Sequence, residues 1–366
     1  MTHDALHDTA TIRTLRAGER EALLELLDGW PLRAGRRGRD FFRRYVDDDP
    51  AYVDDNVWVA EVGGRLVSCV QVFPRLIRST AGEVLCGGIG SVFTATAHRR
   101  GGLSSRLLGE ATAAMRARGM EVSLLVAGRI GWYRKLGWRP WCPPMYRLRR
   151  RRTRDDFVSA PTAAGGDVDQ AASPEIELSD VEVDVDGSSG SSGGGVAELD
   201  VIHALSERTS ALVIGSVARG REGWEASLRL AGNPGEHFRL ARGHDGEAIA
   251  FVRLCDLDEE RQVTEWACVP GAEGALAGML ASELPESGSL ALPPVADAAL
   301  FDELAFRGLS VEPARGAAWM LRCLDREALA LRLGLELSDA DRLTDDGLLE
   351  QLFPRDRFGF WTADRF

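Results

Sequence analysis

The stretch Gly90–Leu108, GSVFTATAHRRGGLSSRLL, decides the fold. Its opening completes a strand, Gly88–Thr94, rich in β-formers. His98, Arg99 and Arg100 then lead into Gly101-Gly102, and Ser104–Arg118 follows as an amphipathic helix ended by Gly119. The two glycines let backbone approach a ligand closely. The first N–H groups of the helix have no intrahelical partner, and with the helix dipole they suit a phosphate. Arg99, Arg100 and Arg106 add positive charge. The loop lacks GK[ST], which excludes a P-loop, and GxGxxG, which excludes a dinucleotide-binding turn.

Upstream, Ala10–Leu15 reads as a short strand, and Glu19–Leu27 and Phe41–Val46 read as helices. Val57–Val62 and Leu66–Phe73 form a hairpin about Gly63-Gly64, with Leu76–Thr80 extending the meander. Downstream, Val122–Ala127 is a buried strand and Gly131–Leu136 a short helix closed by Gly137. This alternation predicts an α/β (α+β) unit around a mixed sheet. Between 151 and 197 Gly, Ser, Ala and Asp dominate and aromatics almost vanish, which predicts a flexible acidic linker over 153–197.

Beyond the linker the rhythm returns without the glycine–arginine loop. Phe238–Ala241 and Ala248–Leu254 form a hairpin, Val263–Val269 and Ser289–Leu292 strands, and Gly274–Glu283 and Ala298–Phe306 helices. This is a degenerate internal repeat. Trp319–Leu324 reads as a strand leading into the helix Arg326–Leu333. The chain thus divides into 1–152, the linker 153–197, a second domain at 198–318 and a short C-terminal region at 319–366.

The 366 residues are 45% hydrophobic, which excludes whole-chain disorder. The net charge of −12 is uneven. Residues 1–158 carry 27 Lys+Arg and 18 Asp+Glu, and the remainder 17 and 38, so the halves stand at +9 and −21. Net acidity argues against a general nucleic-acid binder, and the basic half is suited to an anion. The run Arg147–Arg154 lacks interleaved aromatics and acids follow at once, so it reads as a strand end meeting the linker. Lys135 is the sole lysine, a mark of a GC-rich genome. The first residues lack an apolar secretory core, and no apolar run is long enough to span a membrane. Six cysteines without CxxC spacing predict buried free thiols in a reducing cytoplasm, and isolated histidines predict no metal site.

The RxxG order, Arg99 to Gly102, between a strand and a helix resembles the pyrophosphate loop of the GNAT acyl-CoA N-acyltransferases. VSLLVAGRIGWYRKLGWRPW at 122–141, with Tyr133-x-x-x-Gly137-Trp138, resembles the GNAT segment bearing the proton-donating tyrosine. More closely the chain resembles the enhanced intracellular survival (Eis) type. These bacterial enzymes have an active GNAT domain, a degenerate second copy and a sterol-carrier-like C-terminal region. AHRRGGL, the motif-less second half and the ending FGFWTADRF carry that likeness. The resemblance is specific over 57–147 and diffuse over 198–335. Some thirty residues after Leu333 are too few for a full sterol-carrier-like domain, and the acidic linker is a further departure.

The resemblance implies tandem GNAT folds with mixed, mostly antiparallel sheets flanked by helices. It implies transfer of an acetyl group from acetyl-CoA to an amine, either a small cation or a protein amino group, without a metal. Val92, Phe93 and Thr94 would hold the pantetheine arm. Arg99, Arg100, Gly101, Gly102, Leu103, Ser104 and Ser105 would hold the pyrophosphate, and Gly128 and Arg129 another part of the cofactor. Tyr133 would protonate the departing thiolate, and the α-carboxylate of Phe366 would be the base. Asp28, Trp30 and Asp364 would line the acceptor site. The resemblance also implies homo-oligomers, for which no residue argues. Competing readings are a packed aromatic for Tyr133, a solvated turn residue for Asp28 and a tail that only docks on the core. For the whole chain the alternative is a non-catalytic acyl-CoA sensor or scaffold.

Overall fold

The computed structural model describes residues 10–32, 37–151, 177–181, 195–231, 236–257, 260–316, 318–336 and 342–364. Two compact units emerge. The first comprises residues 1–143, 213–232 and 316–366, and the second 144–212 and 233–315.

The first unit holds β1 (Thr11–Thr14), β2 (Val57–Val62), β3 (Arg65–Ser79), β4 (Gly82–Thr94), β5 (Val122–Val126), β6 (Arg139–Pro140) and β14 (Trp319–Cys323). They form one sheet in the order β1-β2-β3-β4-β5-β14-β6, in which only β4 and β5 run parallel. Helix α3 (Leu103–Ala117) covers one face, burying Leu103, Leu107, Leu108, Ala111 and Met115, one stripe of its surface. Helices α1 (Arg20–Leu27) and α2 (Gly38–Asp47) bury Leu23, Leu24, Leu27, Phe42, Tyr45 and Val46 with Val57, Val59 and Phe73.

The second unit holds β7 (Met145–Arg150), β8 (Glu177–Val181), β9 (His237–Arg242), β10 (Ala248–Leu257), β11 (Glu260–Cys268), β12 (Leu290–Leu292) and β13 (Leu309–Ala314). Their order, β8-β9-β10-β11-β12-β7-β13, repeats the first sheet position by position, with β11 and β12 as the parallel pair. Its helices are α5 (Gly195–Ser210), α7 (Glu273–Glu283) and α8 (Ala298–Phe306).

The matching position next to the last strand is filled in each sheet by a distant segment: β14 in the first, β7 in the second. This corrects the expected boundaries. Trp319–Leu324, expected to open a separate C-terminal region, instead joins the first sheet: as β14 it pairs with β5 and β6, Leu321 opposite Leu124 and Arg139. The segment buries Trp319, Met320 and Leu321 almost completely, so it needs neighbours covering both of its faces. Local pattern cannot say which sheet supplies them. The first residues of the basic run, through Arg150, likewise lie in an inner strand, β7, with Arg147 ion-paired to Glu260 and Arg149 to Glu312.

Other corrections are smaller. The expected linker contains β8, whose register sets Glu177 opposite Arg242 and Asp180 opposite Arg239, and its last residues begin α5. Leu76–Thr80 is no separate strand, because β3 runs unbroken to Ser79. Helices α6 (Arg221–Ala231) and α10 (Asp345–Leu352) and strand β13 are further elements that the sequence reading does not name. Helix α9 (Arg326–Arg332) lies where expected. The C-terminal Phe358, Phe360 and Trp361 are buried, the first two with Trp141, Trp319 and Phe353.

No disulfide joins any of the six cysteines; Cys142 is exposed against expectation, and Cys268 is half-buried. Burial pushes the thiols of Cys69 and Cys86 up to about 12 from an ordinary 9.0. The folded chain therefore keeps protons that the unfolded chain releases above about pH 9. We expect the reduced protein to lose thermal stability as pH rises from about 9 toward 12, read by melting temperature. A thiol reagent should label Cys142 in the native state, and Cys69 and Cys86 only after unfolding. Among the described residues no helix is long and apolar enough to cross a membrane, and no group of His, Cys, Asp or Glu is arranged to hold a metal ion.

Candidate active site

Strands β4 and β5 pair in parallel from Cys86–Val122 to Ile89–Leu125, and there the pairing ends. β4 continues to Thr94, held only by β3. The split opens a cleft of about 940 Å³. A register shift between Cys69 and Gln71 of β3 throws Ser91 out of line, with φ of 50°. Such a bulge bends its strand and re-aims the backbone. Ser91 donates to the Gln71 side chain at 3.1 Å, and its carbonyl accepts from the Cys69 thiol at 3.2 Å.

The loop after β4 is pinned from beneath. The Thr94 hydroxyl bridges those of Ser68 and Ser104, each at 2.7 Å. Arg99 Nε donates to the Thr94 carbonyl at 2.9 Å. Arg100 and Gly102 take left-handed conformations, φ 70° and 75°, and α3 begins at Leu103 without a side-chain cap. Its first N–H groups are thus left for a ligand. Gly102 and Gly128 line the cleft with open space where a Cβ would stand. An extended ligand ending in phosphates fits this cradle.

Of the residues expected to hold cofactor, all but Gly101 line the cleft. Gly101 sits in the turn between Arg100 and Gly102. Tyr133, on α4 (Ile130–Lys135), also lines it and is 8% exposed. Its ring lies 4.7 Å from that of Trp132 and 6.0 Å from that of Trp138. Burial raises the phenol to about 12, and the nearby Arg129 charge works weakly the other way. Trp132 Nε1 donates to Ser105 Oγ at 3.2 Å, tying α4 to the start of α3.

The acceptor residues separate. Trp30 lines the cleft, its ring 5.7 Å from Phe93 and 5.1 Å from Phe42. Asp28 is not among the lining residues. Its carboxylate accepts from Arg37 at 2.9 Å and from the Arg39 backbone at 3.1 Å, and the Arg37 hydrogen bond holds it below the usual carboxylate range. Asp364 also lies away from the lining, buried beside Arg219 with Oδ1 to Nε at 3.0 Å. Phe366 lies outside the described residues. Phe41, Phe42, Tyr45 and Ser91 line the cleft unforeseen. The FFRRY run at 41–45 was the signal for the aromatics; a bulge at Ser91 leaves none in sequence.

α2 is placed by a close approach. A Cβ at Gly38 would collide with the carbonyl oxygen of Leu27. Gly38→Ala should therefore destabilise the fold by about 1–3 kcal/mol, read by denaturant midpoint, and raise KM as Phe42 shifts.

The profile of the acetyltransferase (GNAT) domain matches residues 11–141. No curated protein sequence matches the chain. Among solved structures, a GCN5-related N-acetyltransferase from Anabaena variabilis is similar at 14% identity, covering 87% of this chain and 74% of that one, with a TM-score of 0.63. A probable N-acyltransferase from Enterococcus faecalis follows at 17% identity, 87% and 73% coverage and a TM-score of 0.60. Eis1 from Mycobacterium abscessus has 20% identity, 88% and 76% coverage and a TM-score of 0.55. With the split strands and the arginine–glycine loop, these likenesses make residues 11–141 an acetyltransferase domain of the GNAT family, set in a two-sheet fold of the tandem GNAT kind.

Proposed function

We propose that the protein is an acyl-CoA-dependent N-acetyltransferase that moves an acetyl group from acetyl-CoA directly to an amine. The observation that carries this is the cleft between β4 and β5, which joins the phosphate-binding loop to a buried tyrosine. Gly102, Leu103, Ser104 and Ser105 offer backbone N–H groups to the pyrophosphate, and Arg99 and Arg100 offer charge. Val92, Phe93 and Thr94 offer the bulged edge of β4 to the pantetheine arm. Bound acetyl-CoA supplies the thioester, whose carbonyl carbon gains the amine nitrogen as its bond to sulfur breaks. Tyr133 holds a proton at its hydroxyl throughout the neutral range and gives it to the departing sulfur. The proton leaving the amine goes to a base, and we assign that base to the terminal carboxylate of Phe366. Free thiols fit a cytoplasmic enzyme.

The second unit supplies no competing site in this reading. Its counterpart of the cofactor loop, VPGAEG at 269–274, lacks the arginines. Glu273 opens α7, and its carboxylate accepts from Gly271 N at 3.2 Å where an anion would sit.

The test is acetyl-CoA binding by calorimetry, with acetylated product from an amine panel followed by mass spectrometry. Binding and turnover support the transferase. Tight binding with no turnover of any amine identifies an acyl-CoA sensor instead. A tag fused after Phe366 should abolish turnover and leave the melting temperature unchanged; a fully active tagged enzyme removes Phe366 from the mechanism.

A further inference from the structure

The acceptor half of the cleft has an unexpected chemistry. Among the described residues lining the whole cleft there is no Asp or Glu, and its arginines, Arg99, Arg100 and Arg129, are those assigned above to the cofactor. The walls at this end are Trp30, Phe41, Phe42, Tyr45 and Phe93, in successive ring contacts at 5.0–6.2 Å. Aromatic walls can bind cations through their faces. Here arginines of the chain already use them. Arg44 lies 4.1 Å from the centroid of Phe41 and 5.3 Å from that of Tyr45, and Arg99 lies 5.7 Å from that of Phe93. The described walls therefore offer an acceptor ring faces and no carboxylate side chain.

We propose that the acceptor is a monoamine with an aromatic, otherwise uncharged body, whose ring packs against Trp30 and Phe42. This rests on the transferase reading above and replaces the cationic acceptor that the acidic second half of the sequence suggested. Offset or edge-on ring packing suits the tilted Trp30–Phe42 and Trp30–Phe93 pairs. Polyamines and aminoglycosides have no aromatic ring to pack there and meet no carboxylate side chain among the described walls. Trp30 is then the residue that sets specificity; it lies at the cleft wall and is only half-buried, so it can be changed without emptying the core.

The experiment compares kcat/KM for 2-phenylethylamine and tryptamine with that for spermidine and kanamycin, using the full chain and saturating acetyl-CoA. The aromatic monoamines should be preferred by about fivefold or more, as one ring contact is worth roughly 1 kcal/mol beyond its area. Trp30→Ala should raise KM for the aromatic amines with little change in acetyl-CoA affinity, and Trp30→Phe should restore it. Leu32→Glu, which places a carboxylate in the wall, should shift the ratio toward spermidine. Equal or better use of the polycations, or a Trp30→Ala enzyme with unchanged KM, overturns the proposal while leaving the transferase intact. No product from any amine, with acetyl-CoA bound, overturns both.

Discussion

Tyr133→Phe lowers turnover by about 10²- to 10⁴-fold, the range for loss of a positioned general acid, and leaves acetyl-CoA affinity unchanged. The substitution keeps the ring between Trp132 and Trp138 and deletes only the hydroxyl, so packing does not enter. Because burial holds the phenol near 12, the group carries its proton at every pH where the fold is stable. A thiolate released where bound acyl-CoA shields it from water would also be a stronger base than in water, as burial makes the Cys69 and Cys86 thiolates. Any alkaline fall in kcat below about pH 10 should therefore persist in the Tyr133→Phe enzyme. The checks are steady-state kinetics beside calorimetric binding. Wild-type turnover in the variant would refute the role.

Arg219→Met should destabilise the first unit by about 3–5 kcal/mol, since it strands a buried charge. The Asp364 side chain is 1% exposed and that of Arg219 4%. The carboxylate also accepts from the Val217 backbone at 3.3 Å. Removing the guanidinium leaves the carboxylate without its cation, whereas Arg219→Met with Asp364→Asn should recover part of the loss. Denaturant unfolding of the three proteins decides; a loss below about 1 kcal/mol would mean the pair is relaxed by water.

The cofactor loop is legible in the sequence because glycine, arginine and helix start each leave a local signature within Gly90–Leu108. Tyr133 is legible for the same reason, set seven residues after Val126 in a short strand–helix step. The acceptor residues are not. Asp28 and Trp30 are two positions apart, yet the chain turns between them, sending Trp30 onto Phe93 and leaving Asp28 with Arg37 and Arg39. Asp364 matched an expected role in charge alone, and its partner Arg219 lies 145 residues away. Charge totals misled in the same way. The acidic residues of the second half never reach the described wall of the cleft, where the only ionisable groups of formal charge are basic.

The exchange of β7 and β14 constrains how the chain is made. The first sheet lacks an inner strand until Trp319–Cys323 has left the ribosome, nearly two hundred residues after Val126. Until then β5 presents an apolar, unpaired edge, the kind that recruits other strands. Loop closure over that distance also slows folding. A fragment ending near Pro143 should therefore aggregate rather than act as a minimal enzyme, although every cleft-lining residue described above is encoded within it.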